Sequence, residues 1–327
     1  MSEILRQFSH LKVSRFEIVL QSEGEAVLPA LLGSALRGAF GHALKAISCC
    51  VPHQNCGICF LSDVCNYTTI FEPTSTGKLK DIPRPFIFEP PVPPLTREIS
   101  EHQTLKIRVP EKGKISFGLV LLGETTGKLP YFIYAFELMA RHGFGVNRQP
   151  FSVSEVFQID ADNIKNSIYT PNLEKVLPFE KTDLSELVEQ RIETFGSTNL
   201  LKIHLQTPLR IRRNKSLLGT IDFNEFFKRC SLRLKFLAEN YGRPLEYDYQ
   251  ELMKKAGEIK TVSAQIWEHE SSRRSNRQDK KLEMDGLLGE LCYGGSDFSL
   301  FLPFITASEI LHIGSASSLG LGKFKMV

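Results

Sequence analysis

Both halves of the chain repeat one order of predicted elements, and this repeat restricts the fold strongly. Alternating or helical periodicity of apolar residues predicts strand, helix, strand, strand, helix and strand in turn. These elements cover residues 16–20, 30–47, 104–109, 114–122, 130–141 and 152–159, and then 201–211, 222–240, 260–270, 281–293, 297–310 and 323–327. A glycine turn precedes the last strand of each half. The pattern predicts an α+β protein with two tandem ferredoxin-like domains.

The predicted domains are separated by a polar segment. We place the first domain at residues 1–160, with a cysteine-rich insertion at 49–65, and the second at 198–327. Residues 161–197 are predicted to be a linker with one short helix near 184–193. Residues 72–94 contain seven prolines and are predicted to be an extended connection without regular structure.

Two aspartates mark predicted helix starts in the second half. Asp222 precedes a helical pattern and has Glu225 three positions later, which is a capping-box arrangement. Asp297 is predicted to cap the last helix in the same part of the chain.

Composition limits the classes of partner and compartment. The 327 residues carry a formal net charge of +3, which permits an anionic partner without requiring one. No apolar run approaches the roughly 18 residues that a membrane span needs, and the N-terminus has no signal-peptide core. We therefore expect a soluble, cytoplasmic protein without a membrane partner.

Five of the seven cysteines lie within 17 residues, which favours metal ligation in a reducing compartment over disulfides. Cys56 and Cys59 have the C-x₂-C spacing of two thiolate ligands, and Cys65 with Cys49 or Cys50 would complete a tetrahedral set. A structural zinc held by Cys49, Cys56, Cys59 and Cys65 is our main interpretation. An iron–sulfur cluster and free thiols are the alternatives.

The first predicted helix has one apolar and one polar side. Its apolar side carries Leu32, Leu36, Ala39, Phe40, Ala43, Leu44 and Ile47, and its polar side carries Ser34, Arg37, Gly38, Gly41, His42 and Lys45. Two glycines inside a helix each cost about 0.5–1 kcal/mol relative to alanine. They indicate either close approach of another backbone to a basic face or close helix packing.

A glycine- and serine-rich stretch at residues 310–324 precedes the last strand. Such a loop can turn several amide groups towards one phosphate. It is not a Walker loop, because Lys323 is followed by Phe324 and no helix comes after it. A phosphate cradle and a simple tight loop are both compatible with this stretch.

Basic residues cluster twice in the same half of the chain. One cluster holds Arg210, Arg212, Arg213 and Lys215, and the other holds Arg273, Arg274, Arg277, Lys280 and Lys281. Such residues can bind phosphates and base edges, although a solvated surface is the usual role of a charge run. Their proximity in sequence to the glycine-rich loop favours a nucleic-acid interface.

Several motifs, taken in order, resemble one family. They are Leu36-Arg37-Gly38-Ala39-Phe40-Gly41-His42-Ala43-Leu44, Thr207-Pro208-Leu209-Arg210, Ser275-Asn276-Arg277-Gln278, Gly286-Leu287-Leu288-Gly289 and His312-Ile313-Gly314 through Gly320-Leu321-Gly322. Together they are similar to the CRISPR precursor-RNA-processing endoribonucleases of the RAMP superfamily. The resemblance covers nearly the whole second half and the first helix.

This resemblance implies an enzyme that binds CRISPR repeat RNA and cuts once per repeat. Cleavage would be metal-independent, with a ribose 2′-OH attacking the neighbouring phosphate to leave a 2′,3′-cyclic phosphate. His42 is the first candidate base, with Arg37 and Lys45 stabilising charge, and His312 is the alternative. RNA binding is expected from Arg210, Arg212, Arg213, Arg274, Arg277, Gly314, Ser317, Ser318, Gly320, Gly322 and Lys323.

Two other functions remain open at this point. The chain could be a non-catalytic RAMP subunit that holds guide RNA in a CRISPR interference complex, or a zinc-stabilised scaffold without an RNA role. No cofactor is expected for catalysis, structural zinc aside. Other interference-complex subunits and a second copy of the chain are further candidate partners.

Overall fold

The structure is a computed structural model. It describes residues 3–52, 55–73, 82–92, 106–173, 175–196, 199–213, 216–269, 272–275, 280–295 and 297–327, with backbone alone at 213, 216, 272–275 and 280–283. The helices are α1 Glu3–Phe8, α2 Gly33–Ser48, α3 Asn66–Phe71, α4 Leu129–His142, α5 Leu184–Phe195, α6 Phe223–Tyr241, α7 Tyr249–Ala256 and α8 Leu302–Leu311. The strands are β1 Lys12–Ser22, β2 Ala26–Pro29, β3 Phe86–Glu89, β4 Lys106–Val109, β5 Lys114–Leu122, β6 Phe151–Ile159, β7 Lys165–Tyr169, β8 Thr182–Asp183, β9 Leu200–Leu209, β10 Arg212–Arg213, β11 Ser216–Leu217, β12 Lys260–His269, β13 Ser272–Ser275, β14 Lys280–Glu283, β15 Gly286–Gly294 and β16 Phe324–Met326.

The first sheet has the strand order β3-β5-β1-β6-β7, and its pairs are antiparallel. Strand β1 lies in the centre, between β5 and β6. Its residues Phe16, Ile18 and Leu20 are buried on one face of the sheet. Helices α2 and α4 cover that face, where Phe40 of α2 contacts Phe132 and Phe136 of α4. The order of β3, β5, β1 and β6 with these two helices is that of a ferredoxin-like domain.

The second strand of this domain is not where the periodicity placed it. Residues 104–109 were predicted as a strand of the sheet, but β4 pairs with β2 in a separate two-stranded ribbon. Strand β3 takes the place instead, inside the proline-rich segment that was predicted to lack regular structure. Phe86, Ile87 and Phe88 are fully buried, so the gain from burying three large side chains outweighs the flanking prolines.

The second sheet repeats the arrangement with the order β12-β15-β9-β16. Helices α6 and α8 pack on it, and Phe226 of α6 contacts both Tyr293 and Phe324 of the sheet. The capping prediction for Asp222 is confirmed, because its carboxylate accepts a hydrogen bond from the Glu225 backbone at 2.7 Å. Tandem ferredoxin-like domains are therefore the architecture of this chain.

Two local predictions in the second half require correction, and one helix was missed. Residues 281–293 were predicted as one strand, but they divide between β14, which pairs with β13, and β15. Asp297 does not cap α8, which starts five residues later, and instead accepts a hydrogen bond from the Ser299 backbone. Helix α7 was not predicted.

The predicted linker is more ordered than a polar connection. Within residues 161–197, β7 pairs with β6 and β8 pairs with β1, so both belong to the first sheet. The predicted helix is present as α5, whose Arg191 binds Glu309 of α8 at 2.9 Å. The domain limits 1–160 and 198–327 stay a prediction.

The hydrophobic core joins the two halves. Val13, Ile87 and Val120 of the first sheet belong to the same buried cluster as residues of the second sheet and its helices. The described residues contain no helix that is long and apolar enough to cross a membrane.

Candidate functional site

Helix α2 presents its candidate residues from a firmly packed base. Leu36, Phe40 and Leu44 are buried at helical spacing, as the sequence predicts. The ring centroids of Phe40 and Phe132 lie 5.0 Å apart, and those of Phe40 and Phe136 lie 5.2 Å apart. These contacts determine which side of α2 faces outward.

One flank of α2 packs against α3. The Arg37 guanidinium lies 4.5 Å from the ring centroid of Phe71, and the Lys45 ammonium lies 5.5 Å from that of Tyr67. Between them, a Cβ added to Gly41 would come within 2.3 Å of the Phe71 ring. Gly41 is therefore required for helix packing, and both cations are held over aromatic rings.

His42 and Gly38 form the outward stripe of the same helix, and both are exposed. A Cβ added to Gly38 would meet no atom within 4 Å, so the space above this turn is open. Of the four predicted catalytic residues, His42 has the most accessible side chain. A large ligand could reach its imidazole without moving the protein.

The glycine-rich loop uses several of its backbone amides internally. Gly314, Ala316, Gly320 and Gly322 have positive φ, which allows the tight winding. Backbone N–H groups of Ile313, Ser315, Leu319, Gly320 and Gly322 donate to protein carbonyls at 2.9–3.1 Å. These five amides are directed at protein acceptors, so they are not available to a phosphate.

The loop instead contacts the first half of the chain. A Cβ added to Gly33, at the start of α2, would lie 1.8 Å from the Leu319 carbonyl oxygen. A Cβ added to Gly320 would lie 2.7 Å from the carbonyl oxygen of Phe88 in β3. Glycine is needed at both positions because backbone meets backbone across the junction of the two halves.

A charged cluster closes this junction. His312 Nε2 lies 2.9 Å from Glu89 Oε1, and Lys323 Nζ lies 2.9 Å from the same oxygen. The His312 side chain is completely buried, whereas that of Glu89 is 23% exposed. Two side chains of the glycine-rich loop, a histidine and a lysine, thus converge on one carboxylate at the end of β3.

Burial and charge act in opposite directions in this cluster. Burial alone would raise the pKa of Glu89, but the hydrogen bond from His312 and the charge of Lys323 lower it to about 2. Burial lowers the pKa of His312 despite the opposing effect of Glu89, so we assign a neutral ring that donates from Nε2. The Glu89 carboxylate is therefore ionised at neutral pH.

Comparisons with known proteins agree with the fold of this chain. Residues 203–324 match the family model of the CRISPR-associated endoribonuclease Cas6, and residues 11–181 match a family model for an N-terminal domain. The chain belongs to the CRISPR-associated RAMP superfamily. No curated protein matches this RAMP protein by sequence.

Solved structures share its fold at low sequence identity. A Cas6 product complex from Thermus thermophilus has a TM-score of 0.54 at 13% identity, covering 97% of this chain and 99% of that one. A second Cas6 product complex has a TM-score of 0.51 at 16% identity, with coverage of 97% and 99%. A partial Cas6-RT-Cas1–Cas2 complex has a TM-score of 0.59 at 12% identity, covering 98% of this chain and 46% of that chain.

The remaining residues that were predicted to bind RNA have varied surroundings in this RAMP protein. Arg210 is mostly buried and binds Asp285 at 2.9 Å, whereas Arg212 is exposed. Ser317 is buried, Ser318 is half-buried, and Gly314 is half-buried. The side chains of Arg213 and Arg274, and all of Arg277, lie outside the described residues.

The predicted zinc ligands do not assemble. Cys49, Cys56, Cys59 and Cys65 are half-buried, but no three His, Cys, Asp or Glu side chains in the described part of the chain converge closely enough to hold a metal ion. The Cys65 sulfur instead lies 3.9 Å from the Ser48 carbonyl oxygen. The structural zinc held by these cysteines stays a prediction.

Sequence reasoning missed Glu89 entirely. Glu89 is 223 residues from His312, so no spacing rule connects the two. The one available signal was the apolar run Phe86-Ile87-Phe88 ahead of it, which indicates a buried strand ending in a carboxylate.

Proposed function

We propose that this RAMP protein cuts CRISPR precursor RNA within its repeats, without a metal, by attack of a ribose 2′-OH on the adjacent phosphate. The observation that carries the proposal is the exposed imidazole of His42 on an open helix face that contains no carboxylate. The Cas6-type domain match supports RNA cleavage as the activity. RNA product complexes among the similar structures support repeat RNA as the ligand.

The reaction requires a base, an acid and stabilisation of charge. His42 takes the 2′-OH proton, because an imidazole can exchange a proton under physiological conditions. The 2′-oxygen then bonds to phosphorus while the bond from phosphorus to the 5′-oxygen breaks. The leaving oxygen takes up a proton from solvent, to which His42 afterwards returns its own. The products are a 2′,3′-cyclic phosphate and a 5′-OH.

Arg37 and Lys45 flank the histidine on the same helix and supply positive charge. The Arg37 guanidinium lies over the Phe71 ring and the Lys45 ammonium lies over the Tyr67 ring. These rings limit how far the cations can move. Preorganised cations stabilise developing phosphorane charge better than mobile ones, because they need no reorganisation during the reaction.

The location of His312 favours His42 over the alternative base. His312 is completely buried and its Nε2 is engaged by Glu89, so RNA could reach it only after the junction opened. We assign His312 to holding the two halves together. Other Cas proteins are proposed as partners because a similar structure is a Cas6-RT-Cas1–Cas2 complex.

The test is single-turnover cleavage of labelled repeat RNA in EDTA, comparing wild type, His42→Ala and a substrate with one 2′-deoxy at the cut site. We expect the deoxy substrate to remain intact and His42→Ala to be slower by at least about 100-fold. His204→Ala is the matched control, since His204 is a half-exposed histidine on β9 and should cut normally. Firm binding without any cut by wild type would instead make the protein a guide-RNA holder.

A further inference from the structure

We propose that Tyr131 and Tyr134 form a stacking platform for unpaired RNA bases beside His42. The proposal rests on the proposed function for the identity of the ligand. It adds a binding site on α4, whereas sequence reasoning assigned RNA contacts to α2 and the second half of the chain.

The two helices present their outer faces on one surface. Both α2 and α4 cover the same face of the first sheet, and they are held side by side by Phe40 against Phe132 and Phe136. His42 follows Phe40 by two positions, and Tyr131 immediately precedes Phe132. Packed helices have axes about 8–10 Å apart, and we infer that one RNA strand can contact both the imidazole and the tyrosines.

The two tyrosines are unusual among the tyrosines of this chain. Tyr131 is 44% exposed and Tyr134 is 56% exposed, and the other six are buried or half-buried. Neither hydroxyl has a hydrogen-bond partner among the described residues, so the hydroxyls are not what determines their positions. Three positions along a helix correspond to a rise of about 4.5 Å, which places the two rings on one side of α4.

The electrostatics of this surface suit a polyanion. Helix α2 has no acidic residue, and α4 has one, Glu137. The Glu137 carboxylate is bound by Arg141 at 3.3 Å and by the hydroxyl of Tyr169 on β7. The only carboxylate of the two helices is therefore neutralised, and α2 adds the positive charge of Arg37 and Lys45 on the flank that packs against α3.

Many proteins bind single-stranded nucleic acid without sequence preference through exposed aromatic rings and nearby positive charge. Base–aromatic stacking is tolerant of sequence, because every base offers a π face, while cations follow the backbone. Stacking beside the cut would hold the nucleotides that flank the reacting phosphate in an unpaired conformation. The platform would thereby favour unpaired RNA over duplex at this site.

The experiment measures the affinity of an end-labelled oligouridine of about 12 nucleotides by fluorescence anisotropy. The variants are Tyr131→Ala/Tyr134→Ala and Tyr131→Phe/Tyr134→Phe. We expect the alanine pair to weaken binding by at least about fivefold and the phenylalanine pair to bind like wild type, because the ring face is retained. Tyr249→Ala, on α7 of the second half, is the matched control and should bind normally.

Unchanged affinity in the alanine pair, with an unaltered melting temperature, would overturn the platform and leave this face to another kind of partner. Equal losses in the alanine and phenylalanine pairs would also overturn it, because the hydroxyls would then be responsible. Photocrosslinking of 5-iodouridine RNA should label the peptide that contains Tyr131 and Tyr134, and absence of label there counts against stacking.

The affinity measurement is independent of cleavage. If wild type fails to cut repeat RNA but the alanine pair still loses affinity, the proposed endoribonuclease function fails while the platform stands. If His42→Ala stops cleavage and the alanine pair binds normally, the function stands and the platform fails.

Discussion

Glu89 makes the charged contact at the junction between the two halves. Its Oε1 atom lies 2.9 Å from both His312 Nε2 and Lys323 Nζ. The Arg15 guanidinium also interacts with this carboxylate electrostatically. Hydrogen bonds to charged groups typically contribute about 1.5–3 kcal/mol, more than those between neutral groups. A neutral side chain of the same shape would retain the packing and lose the charge.

We predict that Glu89→Gln lowers the free energy of unfolding by about 2 kcal/mol at pH 7, measured by urea denaturation. The pKa of the Glu89 carboxyl is the ordinary 4.5 in the unfolded chain, and this pKa falls to about 2 in the folded protein. Its stabilisation is therefore complete above about pH 4.5 and is lost as the pH falls towards 2. The difference between wild type and Glu89→Gln should shrink over that window.

The control for this prediction is Glu25→Gln. Glu25 and Arg108 form an exposed pair at 3.4 Å, which should contribute less than about 1 kcal/mol. An effect of Glu89→Gln no larger than that of the control would contradict the role of Glu89 in the junction.

At the scale of the element, α2 contains two glycines with opposite surroundings. Gly41 faces the Phe71 ring, whereas Gly38 faces open space. The sequence alone permitted either close approach of a ligand or close helix packing for both. The structure assigns helix packing to Gly41 and leaves Gly38 on the surface that carries His42.

We predict that Gly38→Ala raises the free energy of unfolding by about 0.5–1 kcal/mol, because alanine favours the helix and meets no neighbour. Gly41→Ala should lower it by about 1–3 kcal/mol, because the new methyl group would displace the Phe71 ring. Thermal and urea denaturation of the pair measure both. Similar effects of the two substitutions would show that α3 is not packed against α2 as described.

The periodicity of the sequence identified α2, α4, α6 and both central strands, because each has a long and regular apolar pattern. It failed at β3, where only four residues form the strand and prolines flank them. It also placed β4 in the sheet, since alternation predicts a strand but not its partner. For the candidate site, it indicated His42, whose catalytic role stays a prediction, and it missed both Glu89 and the exposed tyrosines of α4.

At the scale of the whole molecule, the two ferredoxin-like halves share a hydrophobic core. Leu122 of the first sheet lies in the same cluster as Phe226 and Ile305 of the second half. The Tyr241 hydroxyl of α6, in the second half, donates a hydrogen bond to the Pro83 carbonyl of the first half. Gly123 of the first half lies against the Tyr241 backbone. Separating the halves would expose the apolar side chains of this shared cluster to water, so we expect neither half to be stable alone.

We predict that the chain unfolds in one cooperative step. Differential scanning calorimetry should give a single peak whose calorimetric and van't Hoff enthalpies agree. Two resolved peaks, or a protease-resistant fragment that retains only one half, would show that the shared core contributes little.

The contact between Gly33 and Leu319 has a mechanical consequence. Helix α2 moves as a rigid rod, and His42 lies about 13 Å along its axis from Gly33, nine residues earlier. A change of about 5° in the tilt of α2 at its first turn would move the imidazole by about 1 Å. Misplacement of that size can cost about 100-fold in rate. The glycine-rich loop can therefore determine the position of His42, the proposed catalytic base, without touching RNA.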